Sequence, residues 1–139
     1  MEHQQLQQYL KNMNTAKKQK EVAQQQVKAP VIKVINEITY NGNEIPFSVS
    51  LKAIMACETQ LHEELGDMVR NYNVNRAVVM CKEAIKAGFI NRKLNERADE
   101  VTDDFAIELI ENVAGLYPNI MKTYDTAYAK LYNIQVEGN

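Results

Sequence analysis

Apolar residues recur along this chain in two rhythms, and each predicts its own kind of element. In the first segment Leu6, Tyr9, Met13, Ala16, Lys20, Ala23 and Val27 alternate at steps of three and four. That spacing lays a narrow stripe along one side of a helix. Two alanines and a lysine weaken the stripe, so a helix here needs a surface to lie on. Pro30 ends it, because proline has no backbone donor and pushes the preceding residue out of the helical region. Residues 1–29 therefore read as a helical arm, with Leu6, Tyr9, Met13 and Val27 as its candidate oligomerisation contacts.

The rhythm then changes to a period of two. Val31 to Tyr40 is rich in β-branched residues, Asn41-Gly42 supplies a tight turn with two positive-φ positions, and Glu44 to Val49 continues extended. This predicts a β-hairpin over about residues 34–49. Alternation puts Ile38, Tyr40, Ile45 and Phe47 on one face, and Pro46 marks an edge because it cannot donate to a ladder. A hairpin alone is barely stable in water, so this one must pack on helices or join another sheet.

From residue 50 onward the helical rhythm returns. Ser48 or Ser50 can cap a helix carrying Leu51, Ile54, Met55, Leu61 and Leu65, with Gly66 as its left-handed stop. Asp67 to Ala87 reads as a second helical region with Ala77, Val78, Cys81, Ala84 and Ile85 on one face. Gly88 is its expected end and Asn71 to Asn75 a weak point near its start. Residues 89–101 read as a connector. Thr102 opens a third helix with Asp103 and Asp104 in its first turn, where the helix dipole favours negative charge. Its apolar side is Ile107, Leu109, Ile110 and Val113, and Gly115 and Pro118 close it. A last helix, about Asn119 to Tyr132, carries Ile120, Met121, Tyr124, Ala127, Tyr128, Leu131 and Tyr132. The sum is a mainly α protein: a helical arm over 1–29 and one helical domain over 30–139 with a small hairpin at its start.

Composition narrows the class. The chain has 139 residues, enough for a single core. No run of 18 apolar residues occurs and the first thirty are polar throughout, so neither a membrane span nor a secretory leader is expected. Charge is divided unevenly. Residues 1–28 hold five lysines and two glutamates, net +3, whereas residues 29–139 hold eleven basic and sixteen acidic groups, net −5. An acidic body is a poor ligand for a polyanion, so nucleic-acid binding is unfavoured and could rest only on the arm. Cys57 and Cys81 stand far apart without cysteine neighbours, which suits buried, reduced thiols better than a disulfide framework or a zinc site.

Catalytic patterns fail on spacing. Glu58 and His62 share a helix face, but a zinc-protease helix needs a second histidine where Gly66 stands, and a di-iron helix needs a histidine where Leu61 stands. His3 lies too near the terminus for a rigid site. The five glycines never cluster into a phosphate loop. The tyrosine row Tyr117, Tyr124, Tyr128 and Tyr132 could stack bases, but only Lys122 and Lys130 accompany it, so packing or an interface is the better account. No catalytic, cofactor or metal site is expected.

Two segments carry a resemblance. Glu37 to Leu61, which reads EITYNGNEIPFSVSLKAIMACETQL, and Ala84 to Val113, with AIKAGF and TDDFAIELIENV, are similar to the opening hairpin-helix and the later helices of tail assembly chaperones of long-tailed phages of Gram-positive bacteria. The resemblance implies a non-enzymatic, non-structural phage protein of the host cell cytoplasm. It would bind the long hydrophobic helical tape measure protein, keep it soluble during tail assembly, and work as a homo-oligomer, as a ring or helical assembly. The hairpin of that family normally lies near the chain start, whereas here the arm precedes it. A chaperone groove for varied helices suits flexible side chains, which makes Met55, Met68, Met80, Met121, Tyr124 and Tyr128 candidate partner contacts. The alternative reading is a small helical nucleic-acid-binding or regulatory protein that uses the basic arm.

Overall fold

The computed structural model of the chain describes residues 31–132, so the arm and its four candidate contacts, Leu6, Tyr9, Met13 and Val27, lie outside the described residues. The described part is mainly helical, with a two-stranded antiparallel hairpin followed by six helices. Strand β1 is Glu37–Tyr40 and β2 is Asn43–Pro46, with Ile38 opposite Ile45. Asn41 and Gly42 form the turn at φ 50° and 77°, which is why Asn-Gly serves here. Ile38, Ile45 and Phe47 are buried and Tyr40 half-buried, on the shared face that alternation predicts.

The strands are shorter than the expected 34–49. The Phe47 N–H still donates to the Asn36 carbonyl at 3.0 Å, but upstream of Asn36 the backbone leaves the hairpin and follows the last helix instead. The Lys33 N–H donates to Asn119 Oδ1 at 2.8 Å and the Ile35 N–H to Thr123 Oγ1 at 3.0 Å. Both acceptors are buried, so the side chains of a distant helix satisfy this backbone in place of a strand.

Helix α1 is Leu51–Leu61, capped by Ser50, whose hydroxyl accepts from the Ala53 N–H. It stops at His62, which takes the left-handed conformation at φ 55°, and not at Gly66. Gly66 instead lies inside a short helix, α2, Leu65–Arg70, where it packs near Arg70 and Tyr128. Glu58 makes this early stop workable, because its Oε2 accepts from the Leu65 N–H at 2.9 Å and so supports the start of α2. The weak point at Asn71 to Asn75 is a full break: Asn73 caps α3, Val74–Asn91, through its side chain and the Arg76 N–H.

Helix α3 is the centre of the molecule, and α1, the hairpin and the later helices pack around it. Its buried line runs through Ala77, Met80, Cys81, Ala84, Ile85 and Gly88. Gly88 does not end the helix as expected. A Cβ there would sit 2.7 Å from the Pro46 backbone and 2.9 Å from the Phe47 nitrogen, so glycine is what allows the hairpin to seat on α3. The Ser48 N–H then donates to the Ala84 carbonyl at 2.9 Å and fixes the strand end to the same surface.

The expected connector at 89–101 contains the end of α3 and a single-turn helix, α4, Asn95–Asp99. Thr102 caps α5, Asp103–Asn112, by accepting from the Phe105 N–H, as the sequence predicts. Its buried residues are Ala106 and Leu109, whereas Ile107 faces outward. Helix α6, Leu116–Leu131, starts earlier than Asn119. Pro118 falls in its first turn, where a missing N–H costs nothing because no helical carbonyl lies upstream. Ile120, Met121 and Tyr124 of α6 complete the core.

Candidate functional site

A groove lies open between α1 and α3, with a cavity of about 200 Å³. Ala53, Ala87 and Ile90 supply apolar surface, and Ser50, Lys52, Lys86 and Asn91 stand around them. The small side chains at 53 and 87 keep the helices close and leave a shallow channel above them. Leu51 and Met55, one turn apart on the outer side of α1, are more than half exposed, and Ile90 is 45% exposed at the end of α3. Among the described residues these apolar side chains are left without a covering partner.

The wall of the groove is held by a polar network. Glu83 is almost fully buried, and its Oε2 accepts from Gln60 Nε2 at 2.7 Å. Lys82 donates to Gln60 Oε1 at 2.8 Å, stands 3.7 Å from Glu83 and pairs with Asp103 at 2.9 Å. One lysine thus ties α1, α3 and α5 together, and the buried carboxylate is both hydrogen-bonded and charge-matched.

Under this groove the core contains a second polar cluster. The Tyr124 hydroxyl, fully buried, donates to the Met80 carbonyl at 2.6 Å and touches Cys57 Sγ at 3.5 Å. Since the phenol proton is committed to Met80, the Cys57 thiol is left to donate to the Tyr124 oxygen or, at 3.9 Å, to the Val79 carbonyl. Burial pushes the Cys57 thiol up to about 12, with the Tyr124 contact opposing it, and burial alone pushes Cys81 up to about 12. Tyr124 is likewise held well above the ordinary phenol range by burial and by Cys57. All three groups stay neutral at pH 7, so they are packing groups and not nucleophiles. Both cysteines are buried and free, as their spacing predicts.

The structure separates the six candidate partner contacts. Met68, Met80 and Tyr124 have no exposed surface and Met121 has 5%. These four are corrections: their flexible or large side chains fill the irregular space among α2, α3 and α6 and do not line an open groove. Met55 is exposed and Tyr128 half-buried, so these two remain available. The tyrosine row is divided in the same way. Tyr128 and Tyr132 meet with ring centres 4.8 Å apart and planes tilted by 44°, but Tyr124 points into the core, so among the described residues the row forms no continuous aromatic platform.

The Glu58–His62 pair also has a structural role: Glu58 supports α2 and His62 caps α1. Glu63, its neighbour, is bridged by both Nε and the terminal nitrogen of Arg76, which holds its carboxyl below the usual range. Among the described residues no group of three or more His, Cys, Asp or Glu is placed to hold a metal ion, and no helix is long and apolar enough to cross a membrane.

The groove residues Ala53, Ala87, Ile90, Lys52 and Lys86 escape a sequence reading because alanine in a helix reads as core packing. The available signal was Leu51, Met55 and Ile90, which sit off the buried stripes of α1 and α3. Over the described residues the fold is a helical domain whose helices follow a β-hairpin. Compared with family models, curated proteins and solved structures, the chain matches none.

Proposed function

We propose that this protein is a tail assembly chaperone, a non-enzymatic oligomer that binds the hydrophobic helical tape measure protein in the host cell cytoplasm and keeps it soluble. The observation that carries this reading is the origin of the groove. Ser50, Lys52 and Ala53 come from the first segment that resembles that family, and Lys86, Ala87, Ile90 and Asn91 from the second, with Glu83 one residue ahead of it. The two segments meet where Gly88 admits Pro46 and Phe47, and the surface left open beside that junction is apolar. An amphipathic helix laid between α1 and α3 would cover Ile90 and the alanine floor, in the helix-in-groove manner.

Co-expression tests the proposal. Fragments of a tape measure protein should move into the soluble fraction with the wild-type chain, and Leu51→Asp/Ile90→Asp should remove that effect while leaving the helical circular dichroism unchanged, because both positions are exposed. Wild-type protein that leaves such fragments insoluble would end this reading.

A further inference from the structure

The groove between α1 and α3 carries a charge opposite to that of the body around it. Each wall places a lysine directly before a floor alanine, Lys52 before Ala53 on α1 and Lys86 before Ala87 on α3. Adjacent helix positions point about 100° apart, so each lysine stands at the shoulder of its wall while the alanine forms the floor. Lys52 is exposed and Lys86 half-buried, and neither has an ion-pair partner among the described residues. The carboxylate in the lining, Glu83, is already engaged, because Gln60 donates to it and Lys82 stands beside it. Among the described residues the groove thus presents two unmatched cations, although residues 29–139 sum to −5.

The floor sets a second requirement. A hollow of about 200 Å³ exceeds the ~150 Å³ that admits a benzene ring, so it takes one branched aliphatic or aromatic side chain. Ile90, one turn past Lys86 on the same face of α3 and 45% exposed, gives such an anchor an apolar wall. On an occupying helix, positions three and four residues before and after the anchor lie about 40–60° to one side or the other of it. Carboxylates there face the same way as the anchor and reach both shoulders, whatever the direction of the helix. We infer that the groove selects acidic amphipathic helices, namely client segments in which a bulky apolar residue is flanked by Asp or Glu three and four positions away. The inference rests on the reading of the chain as a chaperone of a helical client and names the segments that the groove accepts.

Fluorescence anisotropy of the full chain with two labelled peptides tests it. Both are alanine-based helices with one central leucine, and one carries Glu, the other Lys, three and four residues to each side of that leucine. At about 0.1 M salt the Glu peptide should bind about tenfold or more tighter, and the difference should collapse near 1 M, where exposed charges are screened. Net charge alone predicts the reverse order, because the chain as a whole is at −2. Lys52→Glu/Lys86→Glu should invert the preference with unchanged helical circular dichroism. If that pair lowers helicity, Lys52→Gln/Lys86→Gln replaces it and should shrink the preference. The lysines of residues 1–29 are intact in both variants, so a Glu preference that survives them unchanged overturns the assignment. Equal binding of the two peptides, a Lys preference, or no binding of the Glu peptide to the wild type would each overturn it as well. Tape measure solubility is scored in parallel. Fragments kept soluble by a wild type that lacks the Glu preference remove the selectivity alone. A Glu preference that the lysine substitutions abolish, in a wild type that leaves the fragments insoluble, removes the chaperone role alone.

Discussion

Cys57, Cys81 and Tyr124 show how a single atom's surroundings set its chemistry. The first two are ordinary thiols by sequence, with pKa values near 9, yet both are carried to about 12 by burial. A raised pKa means that the folded state holds the proton more tightly than the unfolded state does. Their contribution to stability is therefore complete below about pH 9 and is lost as pH rises toward 12, at about 1.4 kcal/mol per pH unit for each thiol. Urea midpoints measured at pH 8 and pH 10.5 should fall for the wild type. The fall should be smaller in Cys57→Ala/Cys81→Ala, which has a lower starting stability but no thiol to ionise. An equal fall in both proteins would assign the alkaline loss to other groups.

At the level of the element, the two helical glycines act differently. Both Gly66 and Gly88 look like helix stops in the sequence, and both lie within helices. At Gly66 the nearest atom to a new Cβ would be the end of the Arg70 side chain at 3.2 Å, which can move. At Gly88 it would be the Pro46 backbone at 2.7 Å, which cannot move without lifting the hairpin. Alanine raises helix propensity at either site by up to about 1 kcal/mol. Gly66→Ala should thus leave the melting temperature unchanged or higher. Gly88→Ala should lower it, since forcing an extra carbon into a packed contact costs about 1–3 kcal/mol. Thermal melts of the two variants side by side check the assignment. The caps were more legible, because Ser50 and Thr102 act through a local geometry that their own sequence neighbours complete.

For the whole molecule, the core cluster from Ile38 to Tyr124 joins the hairpin to α1, α2, α3, α5 and α6. Phe47 is 2% exposed at the point where the hairpin meets α3, so Phe47→Ala should cost about 3–5 kcal/mol. Ile110 is only half-buried and should cost less on truncation. Deleting residues 1–29 should leave the far-ultraviolet circular dichroism of the remaining domain helical and cooperative while lowering the assembly mass. Loss of the cooperative melt would instead assign the arm to the intrachain core.

Local signals in the sequence determined the mainly helical fold class, the hairpin turn at Asn41-Gly42, the caps of α1 and α5 and the buried line of α3, because each depends on residues within one or two turns of chain. Tertiary structure decided what distance along the chain hides. It drew residues 33–35 onto the Asn119 and Thr123 side chains of α6, and it placed Met68, Met80, Met121 and Tyr124 in the core. A methionine or tyrosine has the same apolar body whether it faces a partner or a neighbouring helix, so only packing could choose. Among the described residues packing also left the floor of the groove between α1 and α3 open, a property of two helices that neither helix's sequence contains alone.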